Sequence, residues 1–387
     1  MNTVIGVVIG LLILIFLVVI HELGHAIMAK KAGVKVEEFG VGFPPKAKKI
    51  GNWGDTELTL NWLPLGGFVR LKGEYDSSNK KGDYGKASYW QKTKILAAGV
   101  MVNWFFAAFL FMILALFGTL PKVFDNQFVI NADYSISKSP VTVTYVAKDS
   151  PADKAGIKLG DEILAIKNED LTSDNLAKIT EKNAGKTISV EIKNKSGKSE
   201  KSVKLNDKKV EKQGYFGVQY MTNSYIRSTW SSPLVGLGTA VQYTGETLGG
   251  LGKLVADLAT GITKKASLDS NTRTSGEKDL SNVSKSVAGP IGILGVIFPA
   301  ATEAGISTVI YLAALISLTL AIMNFLPIPA MDGGRWFLMT IFKLSRKKLT
   351  KEIEEKVLFT SFLQSFSFHY QFVNDLQFKS NYGKIVS

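Results

Sequence analysis

Apolar and polar positions divide this chain into long unbroken apolar runs and shorter alternating stretches, and the two kinds occupy different regions. From Val4 to Ile20 no charged residue interrupts the run, which is long enough for a helix to cross the hydrocarbon of a bilayer. A second run from about Ile95 to Leu120 and a third from about Ile306 to Leu326 predict two further spans, and a poorer run from about Val357 to Val373 predicts a fourth. That fourth segment carries Gln364, His369 and Gln371, so it is not expected to face lipid all round.

Between the first two spans the period changes from helical to two. Thr56 to Trp62 alternates, Pro64 and Gly66-Gly67 interrupt, and Phe68 to Leu71 resumes, which predicts a β-hairpin near the membrane. Such a hairpin either lies plainly at the interface or offers a strand edge that holds a peptide extended. Residues 138–207 predict a compact α+β domain. Val141 to Val146 is a strand, Ser150-Pro151 starts a short helix stopping at Gly156, and Glu162 to Ile166 is a second strand. Ser173 or Asp174 caps a second helix ending near Gly185, and Thr187 to Ile192 pairs with Ser199 to Leu205 across Asn194-Lys195-Ser196-Gly197. Residues 221–302 are less regular: Ser232-Pro233 opens a Gly-punctuated amphipathic helix reaching Ile262, and 264–286 reads as a flexible linker.

Charge orients the spans. Lys30, Lys31 and Lys35 follow the first span and no Lys or Arg precedes it, which places the N-terminus outside and the next loop in the cytoplasm. Alternation then puts 121–302 outside and returns 331–356, with Arg335, Lys343, Arg346, Lys347, Lys348 and Lys351, to the cytoplasm. The first 20 residues lack the basic start of a secretory signal, so the run is read as a span rather than a cleaved leader. With 387 residues and a mean hydropathy of +0.13, a mixed membrane and soluble protein fits better than a simple soluble enzyme. The net charge of +13 is spread over polar loops rather than gathered with aromatics, so nucleic acid is not an expected partner, whereas anionic lipid is.

Candidate chemistry sits at the end of the first span, in His21-Glu22-Leu23-Gly24-His25. Residues four apart share a helix face, so His21 and His25 can grip one Zn²⁺ while Glu22 takes a proton from a water on the metal, the mechanics of a zinc peptidase. The chain holds three histidines in all, and charged groups in a span cost roughly 2.5–3.5 kcal/mol each, so the pattern is costly to keep without a task. There is no cysteine, so a further ligand must be a carboxylate. Asp332 is the candidate, in Asn324-Phe325-Leu326-Pro327-Ile328-Pro329-Ala330-Met331-Asp332-Gly333-Gly334. The two prolines prevent a regular helix and the glycines permit a tight turn, at the same expected depth as His21 and His25. The Asn324 amide either hydrogen-bonds a substrate backbone or its oxyanion, or joins helices.

These motifs together resemble the bacterial site-2 protease family, RseP type. The resemblance rests on HELGH, Leu63 to Val69, Gly99 to Asn103 at G-x-x-x-N spacing, Gly289 to Ile293, Asn324 to Gly334 at N-x-x-P-x-P-x-x-D-G-G spacing, and the domain of residues 138–207, whose element order and Ser150-Pro151-Ala152, Ala155-Gly156-Ile157 and Gly160-Asp161 resemble a PDZ domain. It implies an intramembrane zinc endopeptidase that cuts single-span membrane substrates, of the anti-sigma factor or remnant signal peptide type, in a bacterial inner membrane. It further implies His21, His25 and Asp332 as ligands, Glu22 as general base, and Asn324, Asn103, Gly66 and Gly67 as substrate-side or supporting groups, with a peptide ligand for the PDZ-like domain. Val100 stands where the family often has Pro and Met331 where Leu is usual, and one PDZ repeat is readable where some relatives have two.

The expected fold is therefore a polytopic α-helical membrane protein of about four spans, with an inserted α+β PDZ-like extracytoplasmic domain and a membrane-associated β-hairpin. Its expected segments are 1–30 with HELGH, 31–94 with the hairpin, 95–120, the PDZ-like 121–220, the amphipathic segment and linker 221–302, the third span 303–334, and 335–387 with a cytoplasmic loop, the fourth span and a tail. A membrane scaffold with a vestigial site is opposed by the intact HELGH and Asp332. A metal transporter is opposed by polar groups gathered at one depth rather than along a path. A membrane-anchored protease with a soluble catalytic domain would need a third ligand on a helix within 30–94, where none is readable.

Overall fold

A computed structural model describes residues 2–75, 78–166, 169–171, 175–194, 197–211, 213–265, 269, 272, 274–275, 292–328 and 331–357. The expected fourth span beyond Val357 and most of the expected linker lie outside the described residues, as do Ser173, Asp174 and Gly289 to Ile291. The chain divides into one unit of Met1–Phe111 with Gly236–Ser387 and another of Met112–Val235.

The first unit starts with helix α1, Asn2–Lys31, a 30-residue helix about 45 Å long at 1.5 Å per residue. A two-stranded antiparallel hairpin follows, β1 Val36–Trp53 and β2 Thr56–Leu71. This corrects the hairpin expected from the alternation. Thr56 to Trp62 and Phe68 to Leu71 do not pair with each other: Thr56 to Asn61 pairs with Lys46 to Trp53, both segments flank Glu38 to Val41, and the period of β1 is obscured by Gly40, Gly42, Pro44-Pro45 and the lysines at 46, 48 and 49. The chain turns between the two segments: residues 57–60 and residues 67–70 both lie beside residues 38–41, one on each side and running in opposite senses, and residues 64–66 have no register partner on β1. Inside the hairpin the buried Glu38 accepts from Thr59 Oγ1–H at 2.8 Å and pairs with Arg70 at 3.0 Å.

Helix α2, Tyr89–Leu116, begins six residues before the expected second span, because Tyr89 to Lys94 continues the helix as a polar first turn and a half. Among the described residues three helices are long and apolar enough to cross a membrane: Thr3–Lys31, Tyr89–Leu116 and Ile306–Phe325. The amphipathic helix α5, Ser232–Lys265, belongs to the first unit from Gly236 on. Its Tyr243 ring stacks on Phe111 at 5.4 Å between centroids, and its Thr244 hydroxyl accepts from Trp104 Nε1–H at 3.0 Å.

In the second unit the expected element order appears with small shifts: β5 Val141–Val146, α3 Pro151–Lys154, β6 Glu162–Ile166, α4 Leu176–Lys182, β8 Thr187–Asn194 and β9 Gly197–Lys204. Ser150 caps α3 by accepting from the Asp153 N–H at 3.2 Å, with Pro151 in the first turn and Gly156 at φ +73° beyond the end. Two short strands, β7 Glu169–Asp170 and β10 Val218–Met221, complete an antiparallel sheet of order β10-β5-β6-β8-β9, with β7 paired to β6. Alternation on β8 buries Ile188, Val190 and Ile192 against Val141, Val143, Ile163 and Leu176. A second sheet of order β3-β11-β4, from Leu120–Pro121, Ser224–Arg227 and Ser135–Lys138, was not expected; two of its strands have four residues and one has two, too short to show a period.

A π-helical turn, Ile293–Ile297, leads into α6, Phe298–Ala304, which packs on α1. A Cβ on Gly6 would lie 2.5 Å from the Pro299 Cα, and one on Gly10 would lie 2.5 Å from the Phe298 ring. Small residues on α1 thus admit α6 at close range. Helix α7, Ile306–Phe325, ends at Leu326, whose extended backbone is the conformation required before Pro327. Helix α8, Asp332–Leu344, occupies part of what the charge pattern had marked only as a loop. It is held to the start of α2 by the Trp336 Nε1–H to Thr93 Oγ1 bond at 3.2 Å and the Tyr89–Thr340 hydroxyl pair at 2.9 Å.

Candidate metal centre

Two segments more than 300 residues apart in sequence meet in the first unit. His21 Nε2 and His25 Nε2 each lie 3.1 Å from Asp332 Oδ2 and 3.1 Å from one another. A tetrahedral zinc with bonds of about 2.0–2.1 Å separates its ligand atoms by about 3.3 Å, so the triangle has nearly the edges required. Both histidines are buried, and Asp332 keeps a side-chain exposure of 23%.

The tautomer of His25 follows from its surroundings. Its Nδ1 is 2.7 Å from the Ile95 carbonyl oxygen, which can only accept, so the proton is on Nδ1 and the Nε2 lone pair faces Asp332 and His21. Lone pairs from two imidazoles and a carboxylate converging at 3.1 Å repel unless a cation or a proton lies among them, so the donor set fits Zn²⁺.

The turn that delivers Asp332 depends on glycine. Asp332 is the first residue of α8, and a Cβ on Gly333 would lie 2.1 Å from the Phe325 carbonyl oxygen. Only the absence of a side chain lets α8 start against the end of α7. Glycine also sets the approach of α2. A Cβ on Gly99 would lie 2.4 Å from His25 Nε2 and 2.8 Å from the His21 ring, and one on Gly24 would lie 2.8 Å from the Ala98 carbonyl oxygen.

A cavity of about 740 Å³ opens onto the cluster. Its lining brings together His21, Glu22, Asp332, Asn103, Asn324, Gly66 and Gly67, every site residue singled out from the sequence except His25. The Glu22 carboxylate accepts a hydrogen bond from the Val69 N–H, so the hairpin helps to hold it. Asn103 is fully buried, and both polar atoms of its amide lack a hydrogen-bond partner among the described residues. Its backbone carbonyl accepts from Ser317 Oγ–H at 2.9 Å, tying α2 to α7.

Sequence reasoning gave Gly99 only a motif spacing, yet the structure sets it against both imidazoles with no room for a side chain. Arg335 entered only as a topogenic charge, yet it lines the same cavity.

A family model described as Peptidase family M50 matches residues 9–368. A protein of Clostridium perfringens, provisionally named a zinc metalloprotease, is 30% identical over 90% of this chain and 91% of its own. One of Clostridium acetobutylicum with the same provisional name is 30% identical over 89% of each chain. Zinc metalloprotease RasP of Bacillus licheniformis is 26% identical over 93% of this chain and 94% of its own.

Proposed function

The chain belongs to peptidase family M50 and is a zinc metalloprotease of the membrane-embedded kind, and from that premise we propose that it cuts single-span membrane proteins at the His21, His25 and Asp332 cluster. The observation that carries the proposal is the meeting of three ligating atoms from α1 and α8, with two of the donors inside a helix apolar enough to span a bilayer.

His21 Nε2, His25 Nε2 and one Asp332 oxygen would hold the ion. When bound, zinc supplies a Lewis acid that polarises a peptide carbonyl and makes water acidic enough to lose a proton near neutral pH. Glu22, next to His21 and facing the cavity, accepts that proton and returns it to the leaving nitrogen. The Ile95 carbonyl keeps the His25 lone pair aimed at the ion.

A helical peptide bond is shielded by its own hydrogen bonds, so the substrate must be extended before it can react. Where the chain turns between the two halves of β2, residues 64–66 have no β1 partner, and Gly66 and Gly67 line the cavity there, so backbone groups are available to an extended peptide. On the other walls the amides of Asn103 and Asn324 offer a donor and an acceptor each. Gly66, Gly67, Asn103 and Asn324 are therefore the substrate-side groups in this reading.

The substrates are of the anti-sigma factor or remnant signal peptide type, the membrane is the bacterial inner membrane, and the protein is multi-pass with its N-terminus outside. The PDZ-like domain takes a peptide ligand on the extracytoplasmic side. A single-span reporter reconstituted with the purified protein tests the core of this proposal. Cleavage is expected to stop when a chelator strips the zinc and to return when zinc is restored; cleavage that persists in the stripped protein would refute it.

A further inference from the structure

Asp332 and Arg335 are three residues apart on α8, so they project from the same side of its first turn. Arg335 is gripped from two directions. One guanidinium N–H donates to the Glu74 carbonyl oxygen and Nη1 lies 3.5 Å from Glu74 Oε1. The guanidinium carbon also lies 4.6 Å from the centre of the Tyr84 ring, within range of a cation–π contact. Tyr84 is itself fixed: it is 1% exposed, its N–H donates to the Lys72 carbonyl at 2.7 Å, and the next N–H, of Gly85, donates to Gly73 at 3.1 Å.

We propose that Arg335 is a positioning residue for the metal centre: clamped by Glu74 and Tyr84, it holds the first turn of α8 in the rotation that aims Asp332 at His21 and His25. Gly333 permits α8 to start against α7 but has no side chain with which to hold a rotation. Trp336 and Thr340, further along, tie the helix body to α2. Arg335 makes the side-chain contacts nearest to Asp332. The segment that supplies the clamp leads directly into α2, which carries the Ile95 carbonyl on His25 and Gly99 under both rings. One run of chain thus sets the orientation of a histidine and of the carboxylate.

The inference rests on Asp332 being a ligand, and its test separates the two. Zinc affinity is measured by chelator competition on the purified full-length protein, alongside thermal unfolding of the zinc-free forms. Arg335→Ala is expected to weaken zinc binding about 10–100-fold, the range seen when a partner that orients a metal ligand is removed. Arg335→Lys restores only part of this, because an ammonium neither forks onto Glu74 nor stacks flat on Tyr84. Glu74→Ala weakens zinc binding on its own and adds little in the Arg335→Ala background, as expected of one coupled unit.

Zinc affinity unchanged in Arg335→Ala, with a lower unfolding temperature of the zinc-free protein, would reduce Arg335 to packing and overturn the proposal. Should Arg335→Ala fail to fold, Arg335→Lys and Glu74→Ala carry the same test. If Asp332→Ala binds zinc as tightly as wild type, the ligand reading itself is wrong. If Asp332→Ala loses zinc while the Arg335 variants do not, only the positioning role is lost.

Discussion

A Glu22→Gln protein keeps its zinc and cleaves a single-span reporter about 10²–10⁴-fold more slowly than wild type, the range a general base contributes. Glutamine has nearly the shape of glutamate, and its carbonyl oxygen can still accept from the Val69 N–H, so α1 and the hairpin remain docked. His21, His25 and Asp332 are untouched, so metal content should not change. What disappears is a group on the cavity wall able to accept a proton from water. Single-turnover rates and zinc content measured on one preparation check this. A rate within a few-fold of wild type would assign the proton transfer to another carboxylate; Glu74 and Glu354 also line the cavity.

A single methyl group at Gly99 has the second large effect, through geometry alone. Its Cβ would lie 2.4 Å from His25 Nε2, inside any real carbon–nitrogen contact, so either α2 retreats or the imidazole turns. Retreat is resisted by the Ser317 bond to the Asn103 carbonyl at 2.9 Å and by the Ile95 carbonyl on His25 at 2.7 Å. Turning the ring takes Nε2 away from Asp332. Overpacking of this kind costs about 1–3 kcal/mol, and a misplacement near 1 Å at a reacting centre costs about 10² in rate. Gly99→Ala should therefore lower reporter cleavage by about 10² and weaken zinc binding, while Gly249→Ala on α5, where the added Cβ meets nothing within 4 Å, leaves both unchanged. Equal activity in the two variants would mean that α2 does not press on the site.

The convergence of His21, His25 and Asp332 was legible in the sequence because its chemistry has a period. Two histidines four apart on a helix, and an acid after a Pro-broken helix end, are local patterns, and their meeting needs only that both lie at one depth. The strands and helices of residues 141–204 were readable because Ile188, Val190 and Ile192 alternate and Ser150-Pro151 caps. The hairpin was misread because β1 has glycines, prolines and lysines where a strand period should show. Helix α8 was missed because Arg335, Lys343 and their neighbours carry a topological signal that masks the amphipathic one. The π-turn and α6 follow a Gly-rich stretch with no polar face to set a phase. The role of Gly99 is a distance between helices, and no pattern within one segment encodes it.

The account turns on whether residue 332 shares one zinc with the two histidines of α1. X-ray absorption at the zinc edge, recorded on wild type and on Asp332→Ala with zinc content measured in parallel, addresses this directly. Wild type should show one zinc bound by two imidazoles and oxygen ligands, and the variant should hold zinc well below one per chain. A third imidazole in wild type, or a full complement of zinc with an unchanged spectrum in Asp332→Ala, would contradict it.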